Sequence, residues 1–491
     1  MKRYILATAL LTALGLSIEI GCSGPGAGSR VPITAAPATV AIFGGDTPYC
    51  GAISFTLTVT GLTLTPQSGS SPVSILPSGT ALTVDFASLM DFATMLSRAS
   101  VPAGIYSSLG ITLSNPQLTY LDTSTTPPTF KTIAPFMSSL NVNLDFTPAL
   151  TIASGSTLAL ELDFNLLNSL TAGANNEFTV TPTFSAGQAA ASGSGDFAQF
   201  DDLSGLVQSV STSSSNPAYA GSFTLSSPNA QTFTVYTNNS TSFAGVSGLG
   251  SLTAGTFVEM SAVLDSSANI VANNVVAEAQ ENAASGEAAF SGLIASVTRQ
   301  SGNAAQFSLL VQQESPSVTS TVAQLSLLTV DVDSATSFGV ADPAADFAGF
   351  AFGPASLAVG QRVVVHGTLP GNSGTAQSAT ARSIFLGLQS VLGNLSTNPA
   401  TPVTVASDGV DGGFTLVPCS PLFGSGPITV LAGQQTGYVG LANLGSLNNQ
   451  GGHFLLVKGL LFYQPTTTTY GVESWTVPAD VQVAAEVHQI P

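Results

Sequence analysis

Charge is what this chain has least of. Only 7% of its 491 residues are charged, against about a quarter in an ordinary globular protein. Lys and Arg number 9, set against 27 Asp and Glu, so there are too few cations to neutralise a run of phosphates, and a nucleic-acid partner is excluded. Three His, three Cys and one Trp complete the scarcities. No His-Glu-x-x-His, Cys-x-x-Cys, Walker A loop, Gly-x-Gly-x-x-Gly or Gly-x-Ser-x-Gly occurs, which removes the usual zinc, nucleotide and hydrolase signatures. What is present is apolar: hydrophobic residues reach 44% and mean hydropathy is +0.39. That separates the chain from charge-rich disorder and supplies several cores, as the length prior of about three domains requires.

Lys2 and Arg3 precede an apolar stretch, Tyr4 to Ile18, long enough for the helical core of an export signal. Gly21, Cys22 and Ser23 follow. A small residue directly before a Cys at this place resembles the lipobox of bacterial lipoproteins, although Glu19 stands where that pattern prefers Leu. The resemblance implies cleavage of residues 1–21 as a signal peptide and lipid on Cys22. Ser23, in place of an Asp, implies the outer membrane rather than the inner one. The plainer alternative is an ordinary signal peptide with an incidental Cys. The expected location is the cell envelope, lipid-anchored and periplasmic or surface-exposed. Membrane contact is expected through the lipid, because so acidic a body does not adhere to anionic lipid by itself. Leu203 to Val258 lacks charge, yet Ser, Thr, Asn and Gly interrupt it throughout, so it does not read as a membrane span. Export also permits a Cys50–Cys419 disulfide. Spacing alone cannot establish it, and two separate buried thiols are the simpler reading.

The organisation reads as all-β: a flexible tether (22–38), a β-sandwich (39–186), a Gly/Ala/Ser linker (187–200) and three small units (201–284, 285–385 and 386–491). In the first part Ile53, Phe55, Leu57 and Val59 alternate with hydroxyl residues, which places the apolar set on one sheet face. Leu140, Val142, Leu144 and Phe146 repeat the pattern, as do Leu158, Leu160, Leu162 and Phe164, with Glu161 and Asp163 outward. The spacing of Leu89, Phe92 and Leu96 predicts a helix over 86–96, with Asp85 near its start. Gly45-Asp46-Thr47-Pro48, Phe55 to Leu64, Val84 to Leu89, Val101-Pro102-Ala103-Gly104-Ile105-Tyr106 and Leu160 to Phe164 together resemble domain of unknown function 4382 over about residues 39–184. That resemblance implies a β-sandwich and no agreed activity.

An internal repeat follows. Ser204-Gly205-Leu206-Val207 matches Ser291-Gly292-Leu293-Ile294, Thr241-Ser242-Phe243 matches Thr336-Ser337-Phe338, and Leu252-x-x-Gly255-x-x-Val258 matches Leu357-x-x-Gly360-x-x-Val363. A degenerate third copy starts at Gly387 and passes through Thr436-Gly437-Tyr438 and Leu456-Val457-Lys458-Gly459. The repeats resemble domain of unknown function 5666, which implies small β-barrels akin to oligonucleotide/oligosaccharide-binding folds. Ig-like sandwiches are the alternative.

Chemistry is sparse along the chain. His366, His453 and His488 read as isolated polar residues rather than zinc ligands. Gly371-Asn372-Ser373-Gly374 after His366 reads as a turn rather than a Ser–His nucleophile pair. Asp331 and Asp333, placed on one strand face, Asp408 and Asp411 in a turn, and Asp201 and Asp202 at a linker exit read as solvating acids. Calcium is the alternative there, and otherwise no cofactor is expected. Glu161 and Asp163 read as a solvated sheet face rather than a glycosidase pair. Tyr463, Tyr470 and Trp475 cluster near one C-terminal hairpin as candidates for a sugar platform, against plain packing. The expected function is a non-catalytic display or interaction module with a polysaccharide or protein partner. A carbohydrate- or oligomer-binding module is the runner-up, and a hydrolase around His366 and Ser373 is third.

Overall fold

In the computed structural model, residues 36–489 are described apart from 78, 91–92, 126–127, 174–176, 190–197, 228–231, 268, 281–286, 302, 315–321, 341–350, 371–377, 397–402, 406–410, 424–425, 450–453, 464–467, 471–474 and 478–479. The signal segment, Cys22 and nearly all of the tether therefore lie outside the described residues. Among those described, the only α-helix is the single turn Leu166–Ser169; the rest is strand, turn and short 3-10 segments.

The sandwich contains β1 (Ala38–Thr47), β2 (Ser54–Pro66), β3 (Leu82–Asp85), β4 (Thr94–Val101), β5 (Gly104–Asp122), β6 (Asn141–Ile152), β7 (Thr157–Asn165) and β8 (Phe184–Gln188). One sheet has the order β8-β7-β1-β4, with β1 and β7 parallel. The other is built on β2 and β5, with β3 beside β2 and β6 beside β5. Phe55, Leu57, Phe86 and Phe164 fill the space between them. Two of the motifs named above are latches. The Tyr106 hydroxyl donates to the Pro102 carbonyl at 2.8 Å, closing the Pro-Ala-Gly-x-Tyr turn. Asp46 accepts from the Leu166 N–H at 3.2 Å, and Thr47 donates to Asp163 at 2.9 Å.

The helix predicted over 86–96 is not there. A single 3-10 turn, Phe86–Leu89, is followed by β4, and Phe92 lies outside the described residues. Asp85 does not cap the turn; its carboxylate accepts the Phe55 N–H at 2.8 Å. Pairing of β4 with β1 won over the local spacing, since Leu96 enters the sandwich core while Met95 points the other way.

The three repeats are closed five-stranded barrels, which decides against Ig-like sandwiches. The first comprises β9 (Ala198–Ser211), β10 (Gly221–Ser226), β11 (Thr232–Thr237), β12 (Thr256–Leu264) and β13 (Ile270–Gln280). The second comprises β14 (Glu287–Gln300), β15 (Asn303–Glu314), β16 (Leu327–Asp331), β17 (Arg362–Thr368) and β18 (Ser378–Leu386). The third comprises β19 (Gln389–Leu395), β20 (Gly412–Pro418), β21 (Ile428–Ala432), β22 (Phe454–Tyr463) and β23 (Asp480–Gln489). In each, the first strand pairs with the second and fourth. The third and fifth strands pair in parallel to close the ring. Closure gives each of the five barrel strands a neighbour on both sides, in a chain with few charges to guard a free edge.

The repeated residues have specific work in this topology. Gly255 and Gly360 sit at φ +86° and +87° before the fourth strand, a left-handed turn that favours glycine. Their N–H groups donate to Val207 and Ile294 carbonyls, each at 2.8 Å. A side chain at Gly205 or Gly292 would collide with the carbonyl of Ser226 or Leu310. In the third barrel the same close approach belongs to Gly393, against Val417, and not to Gly387, which precedes the strand.

The repeated Thr is a latch in all three barrels. Thr241, Thr336 and Thr436 each donate to a carbonyl of the fifth strand, Ala272, Ala381 and Ala484, at 2.8, 3.0 and 2.8 Å. Each also accepts a turn N–H, from Asn238, Asp333 and Gly433.

Some strands are apolar on both faces. Along β1, Val40 and Ile42 belong to the sandwich core, whereas Ala41 and Phe43 belong to the core of the first barrel. Along β22, Leu455 and Val457 serve the third barrel, and Leu460 and Phe462 serve the second. Residues 36–491 accordingly form one compact unit instead of beads on a string. Thr336→Val should lower unfolding free energy by about 1–2 kcal/mol by orphaning a buried N–H and carbonyl. Thr336→Ser should retain most of it, as measured by urea denaturation.

Candidate functional site at the domain junction

The sandwich and the first two barrels are convex bodies, and a cavity of about 280 Å³ lies where they meet. Asp85 and Ser88 come from the sandwich, Ser227 from the end of β10, Gln312 and Glu314 from β15, and Arg362 from the start of β17. A second cavity of about 80 Å³ shares Ser88, Gln312 and Arg362 and is lined further along by Cys50 and Cys419. Those two cysteines are joined in a disulfide, with Cα atoms 5.5 Å apart, where the sequence favoured separate thiols. The pairing links the β1–β2 loop of the sandwich to the residue after β20 in the third barrel. Ile53, Leu310 and Leu422 pack beside it as a small cluster of their own.

Polar seams fix the junction. Arg362 meets Glu259 of the first barrel at 3.3 Å, both side chains largely buried. Its own N–H donates to Gln389 at 2.7 Å, and Gln389 returns a hydrogen bond to the Gly360 carbonyl at 2.9 Å. Fully buried Gln361 donates to the Leu461 carbonyl at 2.8 Å, tying the second barrel to the third. Ser204 donates to Gln313 at 2.7 Å across the first and second barrels. Burial pushes the Glu314 carboxyl up to about 7.

The residues singled out from sequence are dispersed. Ser373, His453 and Asp408 lie outside the described residues. His488 is in β23, opposite Leu456. Asp331 ends β16 and accepts from Gln306 at 2.7 Å, while Asp333 turns away to cap its own loop through the Ala335 N–H at 2.8 Å, so the two do not share a strand face. Asp411 is half-buried before β20. Asp201 and Asp202 lie within β9 rather than at a linker exit. Glu161 is exposed, but Asp163 is half-buried and held by Thr47, and burial raises its carboxyl. Tyr463 has one ring face under the Arg299 guanidinium, 5.0 Å from the centroid. Tyr470 and Trp475 are cross-strand partners in a separate short hairpin. Among the described residues no group of three His, Cys, Asp or Glu side chains is placed to hold a metal ion.

His366 is not at a strand end. It sits inside β17, 0% exposed, with Ala289 and Ser383 opposite and neither ring nitrogen hydrogen-bonded. An imidazole closed off from solvent cannot take a proton from an external nucleophile. Burial holds its pKa below the ordinary value, outweighing the upward pull of Glu287. The unfolded chain therefore binds this proton more readily than the native chain, and stability falls as pH drops below about 6.5. His366→Leu should flatten that part of the pH–stability curve relative to the unsubstituted protein, as read from denaturation midpoints between about pH 7 and pH 5.5.

The comparisons with known proteins agree with the order of domains. Residues 37–182 match the family described as Domain of unknown function (DUF4382), and residues 204–275 and 316–379 match Domain of unknown function (DUF5666). No curated protein matches the chain. One solved structure, "drosophila Unr CSD456", is similar at 13% identity over 59% of this chain and 97% of that chain, with a TM-score of 0.14. By its sandwich, its repeated barrels and these matches, the chain carries a DUF4382 domain followed by DUF5666 domains.

Proposed function

We propose that this protein is an exported, non-catalytic display or interaction module of the cell envelope. A lipid on Cys22 and the tether after it hold residues 36–491 at a membrane, more consistently with the outer membrane than the inner. The observation that carries the compartment is the Cys50–Cys419 disulfide. It spans 369 residues of sequence, and such a bond persists in an oxidising compartment rather than in a reducing cytosol. The non-catalytic reading is supported by the enclosure of His366 and by polar residues at the junction that are spent on holding bodies together. Binding surfaces carried on a rigid, covalently closed body suit a polysaccharide or protein partner better than a turnover site.

Two measurements test this. Labelled palmitate should enter the expressed protein and be lost in Cys22→Ala; incorporation unchanged in that variant, or absent from the wild type, removes the anchor. Material recovered from the envelope should carry no free thiol at Cys50 or Cys419. Cys50→Ser should lower stability by about 2–4 kcal/mol.

A further inference from the structure

The junction cavity is too polar to be a packing defect. Its volume, about 280 Å³, corresponds to roughly nine waters at ~30 Å³ each, and empty protein cavities are apolar. Several wall groups are already spent: Asp85 on Phe55, Ser204 on Gln313 and Arg362 on Glu259. Three are not. Gln312 is 6% exposed; its backbone carbonyl accepts from Gln324 at 2.6 Å, and no hydrogen bond of its side-chain amide is seen among the described residues. Ser227 is 8% exposed and its hydroxyl has no hydrogen-bond partner. Among the described residues Glu314 meets only its own backbone N–H. Leaving such groups unpaired costs about 1–3 kcal/mol each, a cost that a ligand or ordered water relieves.

We infer that this cavity binds one small, uncharged, hydroxyl-rich molecule the size of a sugar ring, held by the amide of Gln312, the hydroxyl of Ser227 and the carboxyl of Glu314. The inference concerns a site separate from the lipid anchor and does not depend on it. Size sets the upper limit, since cavities for drug-sized ligands start at about 300 Å³. Charge excludes anions: Arg362 is neutralised by Glu259, while Asp85 and Glu314 face the same space. An ammonium is disfavoured by valence, because it offers only donors and would leave the Gln312 NH₂ without an acceptor. A hydroxyl both donates and accepts, as do an amide and a serine. The carboxyl of Glu314, held near 7 by burial, donates to a ligand hydroxyl when protonated.

Purified protein is titrated calorimetrically with glucose, galactose, mannose, xylose and myo-inositol, and separately with methylammonium and inorganic phosphate. One or more of the neutral ligands should bind with unit stoichiometry. Gln312→Leu and Ser227→Ala should each weaken binding by about tenfold or more, with the melting temperature without ligand confirming that the variant is folded. Should Gln312→Leu fail to fold, Ser227→Ala carries the test. Silence from all five neutral ligands overturns the inference. So does binding of methylammonium or phosphate in their place, or neutral binding that both variants leave intact.

Discussion

Burial of strands on both faces is the constraint on which the arrangement of this molecule depends. A strand with one buried face carries polar residues on the other and closes a single domain. β1 cannot do so, because Val40 and Ile42 face one core and Ala41 and Phe43 another. Exposing either set strips apolar surface from a packed interior at about 25 cal/mol per Å². The first barrel therefore completes the sandwich, and through Leu460 and Phe462 the third barrel completes the second. The low charge of the chain fits this construction, since faces that ordinarily carry charged residues are here interfaces.

The same constraint explains what sequence reading recovers. Alternation is visible where apolar residues take turns with hydroxyl or acidic ones, and β2 and β7 follow from Ile53 to Val59 and Leu158 to Phe164, although Ser54, Thr56 and Thr58 on the second face of β2 are buried as well. The repeated Thr and Gly residues are legible because a single hydroxyl or a missing Cβ serves the same backbone geometry in each barrel. In the third barrel the first-strand glycine shifts from the expected Gly387 to Gly393, since it is the carbonyl of Val417 that requires the space, whatever the local spelling. The helix over 86–96 failed for the opposite reason. Leu89 and Leu96 match a helical period in isolation, but pairing with β1 satisfies the backbone of β4 and gives both Met95 and Leu96 a core.

The junction was not legible. Asp85, Ser227, Gln312 and Arg362 are separated by more than a hundred residues in places, share no motif, and meet only because three bodies pack together. Cys50 and Cys419 pose the same difficulty in a sharper form: spacing carries no information on pairing across 369 residues. Arg362 offered a slight signal as one of nine basic residues, set directly before three valines at the start of a strand. A lone cation there needs a buried partner, and Glu259 provides it from another barrel.

Why polar residues collect at this place follows from shape. Barrels and a twisted sandwich are rounded, and three rounded surfaces that touch pairwise leave a gap at the common point. Filling that gap with apolar side chains would require bulk from three separate bodies to interdigitate in one register, and an apolar gap left unfilled forfeits dispersion contacts on every wall. Polar residues resolve the problem in another way, since a wet gap tolerates imperfect fit. The seams around it, Ser204 with Gln313 and Arg362 with Glu259 and Gln389, then set the angles between the bodies. The disulfide holds the third barrel against the sandwich beside it. A cavity formed by geometry and lined with residues chosen for water needs few further changes to hold a molecule that resembles water in its hydrogen bonding.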